Sequence, residues 1–418
     1  MTESAAVITG IGLLSPLGRG VDTHLDRLWS GESGLVAPPR ERQLDLPVDA
    51  AGFAPDVLAT DYLSGPDSRL VDRFILLGLA AADDALADAG IVVGTDCDPE
   101  RTAVVVSSAN GGLISFEQQA LSRAERGRTA VSPMLLPAML PNMASARIAI
   151  QHGIRGASSN VSTACAAGAQ GVAEALRIIR DGDADVVLCG GVETPLTPTI
   201  VATFVNSRAL AKGWPDPRQA SRPFDKARNG FVLAEGAGVL VVESAAHAAA
   251  RGARGYANLL GWGSTTDGFH VTSPRPDGSG AAAAMRRALS RAGVSPSDVG
   301  YVNAHGTATK LGDSAEAAAI RELFGESGPA VSSTKGAIGH LLGGAGAVEA
   351  AITALSISTG RVPPTLNLDD PDPACDLDHV RGGPRTLPLR AALSNSFAFG
   401  GHNVSLLLGE STVGARHE

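Results

Sequence analysis

Apolar runs of strand length alternate along this chain with longer Ala-rich stretches. Residues 5–11 form one such run and end at Gly10-Ile11-Gly12, the pattern of a strand buried on both faces. Runs over 102–107, 184–189, 239–243, 299–302 and 404–408 read the same way and are rich in Val and Leu. Between them, 79–89, 164–179, 281–292 and 347–357 are dominated by Ala and other small or apolar residues and predict helices. Strands alternating with helices predict α/β layers.

Two stretches resemble each other. Val161-Ser162-Thr163 leads into Ala164-Cys165-Ala166-Ala167-Gly168, which opens a helix. Val331-Ser332-Ser333-Thr334 leads into Lys335-Gly336 and the helix beyond His340. Each is a strand, a Ser/Thr turn and a helix of small residues, which indicates a weak internal duplication. Halves at 1–250 and 251–418, packed face to face, would bring both helix starts to one central site. No low-complexity linker separates them, so one rigid body is expected.

Composition narrows the class. The 418 residues include 50 Gly, so small residues do much of the packing. A net charge of −9 argues against general nucleic-acid binding. Cys97, Cys165, Cys189 and Cys375 show neither CxxC spacing nor the density of a secreted scaffold, which fits a reducing cytosol. The N-terminus has no basic region of a signal peptide, and no apolar run is read as membrane-spanning.

Cys165 sits where a helix begins, and the positive helix end with its free N–H groups would favour the thiolate. The bland alternative is a buried structural cysteine, which is the reading kept for the other three. Two histidine motifs tilt the balance. Asn303-Ala304-His305-Gly306-Thr307-Ala308-Thr309 follows one strand, and Ser333-Thr334-Lys335-Gly336-Ala337-Ile338-Gly339-His340 follows another. Each His lies just past a strand end, where α/β folds place ligand sites. Asp313 and Glu316 resemble a metal pair at first sight. One His and two carboxylates across a turn give no convincing ligand geometry, so they are read as structural and no metal is expected. Gly343-Gly344-Ala345-Gly346 lacks the Lys-Ser/Thr ending of a phosphate loop and reads as tight helix packing.

With these residues in view, the chain resembles the elongating β-ketoacyl-acyl carrier protein synthases of the thiolase superfamily. Five segments match in order: Thr163-Ala164-Cys165; Ser221-Arg222-Pro223-Phe224-Asp225 with Gly230-Phe231-Val232; His305-Gly306-Thr307; Lys335 to His340 with Leu341-Leu342-Gly343; and Asn395-Ser396-Phe397-Ala398-Phe399-Gly400-Gly401. The resemblance implies a thiolase-like fold of two βαβαβαββ halves in α-β-α-β-α layers. It implies that Cys165 takes an acyl group from a carrier-protein thioester, with the N–H groups of Cys165 and Phe399 as oxyanion hole. His305 and His340 would then stabilise the enolate left when malonyl-carrier protein loses carbon dioxide. A neutral imidazole can donate from Nε2 if its Nδ1 accepts from backbone. Lys335 and Glu349 would pair, Thr307 and Thr309 would bind pantetheine, and Phe399 would gate the site with Gly400 and Gly401 as pivots. No cofactor is implied, because the substrates carry their own pantetheine.

The expected partners are an acyl carrier protein, docked through Arg69, Arg73 and Arg208 with Arg126 and Arg128 as further candidates, and a second ketosynthase-like subunit. That subunit is either another copy or a chain-length factor. Met134 and Leu135, from this chain or a partner, are expected to set chain length. The sequence departs from the family pattern at Ala308, Lys310 and His402. It departs more informatively at Asn110, whose counterpart in fatty-acid enzymes is apolar and lines the acyl pocket. That residue hints at a more functionalised acyl chain, as in type II polyketide synthesis. Three other readings compete. A chain-length factor would lack the nucleophile, a thiolase would pair Cys165 with a second Cys, and a cysteine hydrolase would give no reason for Lys335 or a second His.

Overall fold

The computed structural model describes residues 6–38, 48–65 and 71–414. In the first half the principal elements are β1 (Ala6–Ser15), α1 (Arg73–Ala89), β2 (Thr102–Ser107), α2 (Leu113–Arg126), α3 (Met143–His152), β3 (Ser158–Ser159), α4 (Ala167–Asp181), β4 (Val186–Glu193), α5 (Pro198–Asn206) and β5 (Gly236–Ser244). In the second half they are β6 (Ala257–Thr266), α6 (Ser279–Ala292), β7 (Val299–Asn303), α7 (Lys310–Phe324), β8 (Ala330–Ser332), α8 (Ala345–Thr359), β9 (Ala391–Ala398) and β10 (His402–Gly409). With α2 and α5 set aside as insertions, both halves run β-α-β-α-β-α-β-β.

The duplication extends to strand order. The first half pairs as β3-β2-β4-β5-β1 and the second as β8-β7-β9-β10-β6, with matching parallel and antiparallel ladders. A short antiparallel ladder, Ala6–Ile8 against Ala257–Leu259, joins the two sheets at their β1 and β6 edges. α4 and α8 pack on each other and touch strands of both sheets. α1 and α3 cover the outer face of the first sheet, and α6 covers that of the second with α7 packed beside it. The result is the α-β-α-β-α layering of a thiolase-like fold.

Close approach of the central helices explains the glycines at their starts. A Cβ on Gly168 would lie 2.7 Å from the Gly343 carbonyl oxygen, and one on Gly346 would lie 2.7 Å from the Ala169 nitrogen. Gly343 to Gly346 are therefore packing residues, as expected.

Two sequence expectations need amendment. α1 begins at Arg73 rather than 79, with the Asp72 side chain accepting from the Phe74 N–H as its cap. Its first turns are buried all round, so they carry no amphipathic period to read. Second, the stretch Leu342–Thr359 is long and apolar enough to cross a membrane by length and composition, which the sequence reading denied. It is 89% buried between the sheets and carries Glu349, so it is the central core helix of this fold.

Candidate active site

Cys165 follows a strained residue. Ala164 has φ +49, a left-handed conformation that a residue with a Cβ holds only where its surroundings impose it. It starts a single 3₁₀ turn, Ala164–Ala166, that runs into α4. The other half repeats the device: Leu342 has φ +44 and opens the turn Leu342–Gly344 ahead of α8. The duplication therefore aligns Cys165 with Gly343, and only the first half carries a thiol there.

Cys165 is half-buried and lines a cleft of about 1090 Å³ that includes its open mouth. Burial pushes its thiol up to about 12; Lys335 pulls it down and Glu193 pushes it up. The expectation that the helix end would leave a thiolate is thus overturned, because desolvation outweighs both the helix end and the lysine. The backbone N–H groups of Cys165 and Phe399 both reach the sulfur.

His305 and His340 stand edge to face with ring centroids 5.3 Å apart, both buried and both lining the same cleft. Burial, reinforced by Lys335, holds each imidazole well below its usual range, so both are neutral. The Nδ1 of His305 lies 3.5 Å from the Lys335 ammonium, not against a backbone group. An ammonium only donates, so this nitrogen accepts and the His305 proton sits on Nε2. His340 is held from the side: its N–H donates to the Val232 carbonyl at 2.8 Å, and its own carbonyl accepts from Ala234 at 3.0 Å. Phe231 packs edge-on against its ring at 5.4 Å. Its Nδ1 is buried without a partner among the described residues.

Lys335 pairs with Glu349 in a short contact, both fully buried. Burial raises the Glu349 carboxyl to about 7 against the pull of Lys335. Asp313 and Glu316 are structural, as the sequence reading held. Glu316 accepts from the N–H groups of His305 and Gly306, each at 2.8 Å, and from Asn395 at 3.3 Å. Asp313 accepts from Phe224 at 2.7 Å and Ala308 at 3.1 Å. Two carboxylates on successive α7 turns thus pin the loop that carries His305. Ser333 ties this loop to the other one by donating to the Gly306 carbonyl at 2.7 Å.

Thr307 and Thr309 line the cleft with hydroxyls 3.0 Å apart. Phe399 stands at the cleft 42% exposed, and Gly400 and Gly401 take φ +82 and +72. Asn110 lines the same cleft, as do Ala164, Phe204, Phe231 and Leu342. A thiol and two neutral imidazoles on one cleft, with the buried Lys335 against one of them, suit thioester chemistry that passes through an enolate.

A family model described as the β-ketoacyl synthase N-terminal domain matches residues 3–248, and one described as its C-terminal domain matches 256–369. The chain belongs to the β-ketoacyl synthase family. It is 43% identical over 410 residues to 3-oxoacyl-(acyl-carrier-protein) synthase 2 of Vibrio harveyi, covering 97% of this chain and 99% of that one. It is 41% identical to the enzyme of the same name from Staphylococcus aureus, covering 96% and 97%. Among solved structures it superposes on the ishigamide ketosynthase/chain length factor with TM-score 0.90 at 33% identity, covering 97% and 99%. It matches equally well, at 32% identity with the same coverage, a type II polyketide synthase acyl-carrier protein in complex with its ketosynthase bound to the hexaketide.

Within this β-ketoacyl synthase the proposed docking residues divide. Arg69 lies outside the described residues. Arg73 is withdrawn from the surface: its guanidinium pairs with Glu235 at 2.8 Å and Asp56 at 3.1 Å and donates to the Ala54 carbonyl. An arginine committed to a buried carboxylate has little left for a partner, so Arg73 is read here as structural. Arg208 is exposed at φ +56. Arg126 is exposed and donates to Ser122, and Arg128 is exposed. Met134 and Leu135 are half-buried outside the cleft, beside exposed Leu136 and Leu140. His402 is half-buried, close under Gly400.

Sequence reasoning missed Glu193. It ends β4 fully buried and accepts from Ser108 Oγ and Ala109 N at 2.8 Å and from Asn110 N and Gly343 N at 3.2 Å. The available signal was a carboxylate closing an otherwise apolar strand.

Proposed function

We propose that this chain condenses an acyl group held on Cys165 with a malonyl group carried by an acyl carrier protein, releasing carbon dioxide. The observation that carries this reading is the cleft shared by a neutral thiol and two neutral imidazoles. In the first half-reaction the Cys165 sulfur bonds the acyl carbon, the bond to the pantetheine sulfur breaks, and the thiol proton leaves on pantetheine. The N–H groups of Cys165 and Phe399 receive the carbonyl oxygen. In the second, the malonyl carboxylate leaves as carbon dioxide and its electron pair forms an enolate. His305 and His340 donate to the enolate oxygen, which a neutral imidazole does without giving up its proton. The enolate carbon then attacks the acyl carbon, the bond to Cys165 breaks, and a solvent proton restores the thiol. No step calls on a metal or organic cofactor. Four free cysteines support a reducing cytosolic location.

Exposed Leu136 (60%) and Leu140 (41%), beside Met134 and Leu135, support a second subunit over this face, either another copy or a chain-length factor. Intact-mass analysis after incubation with acyl-carrier protein tests the core of the reading. The acyl mass should appear on Cys165 and vanish in Cys165→Ala. Label on Cys97, Cys189 or Cys375 would overturn it.

A further inference from the structure

We infer that His270 is a positioning residue for the oxyanion hole and a proton-sensitive latch on it: its unprotonated ring holds the turn that fixes Gly400, and protonation releases that turn. This rests on the ketosynthase reading above. His270 lies in the segment between β6 and α6, of which Thr272, Pro274 and Arg275 line the cleft. Its Nδ1 lies 3.1 Å from both the Thr272 and the Ser273 backbone nitrogens and accepts from their N–H groups. A backbone N–H only donates, so Nδ1 carries no proton and the ring's proton sits on Nε2. The imidazole does here what Asn or Asp does in a turn, accepting from N–H groups two and three positions on. The carbonyl of Val271, which this turn encloses, accepts the Gly400 N–H at 2.7 Å. The Asp267 N–H adds a second attachment by donating to the Gly401 carbonyl at 2.9 Å. Phe399, whose N–H reaches the Cys165 sulfur, is therefore held through its neighbour Gly400.

Gly400 and Gly401 both take positive φ, where glycine has little steric restraint of its own, so these attachments supply it. Protonating Nδ1 replaces its lone pair with an N–H that faces two other N–H groups, and both turn hydrogen bonds are lost. Imidazole is the side chain that ordinarily titrates in the physiological range, and His270 is exposed to solvent. The other charged groups of the segment are committed. Asp267 accepts from Asn403 at 2.7 Å and from the Arg275 N–H at 3.1 Å, and the Arg275 guanidinium pairs with Asp277. From β10, His402 lies close under Gly400 and is the second imidazole beside this loop.

The test compares wild type, His270→Asn and His270→Ala at about pH 8 and about pH 5.5, on either side of the ordinary imidazole range. Asn offers a turn acceptor that does not titrate, and Ala offers none. Hydrogen exchange of the peptide containing Gly400 is read by mass spectrometry as a ratio between proteins at the same pH, which cancels the intrinsic pH dependence of exchange. Acylation of Cys165 by acyl-carrier protein is followed alongside by intact mass. At about pH 8, His270→Ala should exchange faster at Gly400 than wild type and acylate more slowly at saturation, each by about three- to tenfold, the range one hydrogen bond supplies, with little change in KM. At about pH 5.5 wild type should approach His270→Ala, whereas His270→Asn should keep its behaviour at both values. Wild type equal to His270→Ala at about pH 8 overturns the positioning role. A difference between them that stays the same at about pH 5.5 overturns the latch and passes any acid effect to His402. Both results leave the ketosynthase reading intact. No acyl label on Cys165 in any of the three proteins overturns that reading, while the exchange ratios still decide the latch.

Discussion

At the scale of single residues, the site works by burial rather than by charge. The thiol and both imidazoles are kept neutral by desolvation, and Lys335 acts by facing His305 Nδ1 and fixing its proton on Nε2. His305→Ala and His340→Ala should each cut decarboxylation of malonyl-carrier protein by about 10²–10³, as loss of one oxyanion-type donor does. Both should still allow some acylation of Cys165. Full decarboxylase activity in both variants would remove them from this role. The Lys335–Glu349 pair makes a second, structural prediction. Lys335→Ala leaves a buried carboxyl unpaired and should cost about 3–5 kcal/mol of unfolding free energy. Truncating Glu349 as well should recover part of that, which a urea double-mutant cycle measures.

At the scale of elements, the central helices and the carboxylate clamps position the chemistry. Gly168→Ala would drive a methyl into the Gly343 carbonyl oxygen at 2.7 Å and the Ala347 nitrogen at 3.0 Å. Backbone on both sides cannot give easily, so a cost of about 1–3 kcal/mol is expected, with slower acylation because Cys165 heads the same helix. The clamps carry a pH signature. Burial raises Glu193, Asp313 and Glu349 to about 7, so each binds its proton more tightly folded than unfolded. Their contribution is complete below the ordinary carboxyl range and is lost as pH rises through about 7. Glu243 and Asp225, held below their ordinary values, act oppositely and lose their contribution in acid. Urea midpoints should therefore fall between about pH 5 and about pH 8, and Asp313→Asn should show a shallower fall. A slope unchanged in Asp313→Asn would show that this carboxyl does not titrate in that window.

At the scale of the molecule, the two halves are one design used twice, and the second copy has Gly343 where the first has Cys165. The surface question is which cations meet an acidic carrier protein on a chain that is itself acidic. Arg73→Ala should lower stability by about 3 kcal/mol, because it removes the guanidinium that faces the buried Glu235 carboxylate, without a selective rise in KM for carrier-protein thioesters. Arg208→Glu should do the reverse, raising that KM and flattening its salt dependence while the unfolding midpoint stays put. Swapped outcomes would return Arg73 to the docking face and remove Arg208 from it.

The sequence by itself determined the layered α/β class and the duplication, and it singled out Cys165, His305 and His340, which the fold brings to one cleft. Apolar runs set most strand positions, though β6 and β9 were not read and the strand expected at 161–163 lies instead at Ser158–Ser159; Cys165, His305 and His340 each follow an element end that local patterning marks. Neither α2, α3, α5 nor α7 was read. α2 and α5 are insertions in the repeat, and α3 and α7 bury only part of their surface in a mixed pattern. Tertiary structure alone decided the protonation of the site. A helix start suggested a lowered thiol, whereas partial burial of Cys165 among segments far along the chain pushes it up. It also decided that Arg73 faces inward to Glu235, 162 positions away, and that Glu193 and Glu316 bind loops rather than solvent. Solvent exclusion and partners far along the chain fix these states, and no local window of sequence contains them.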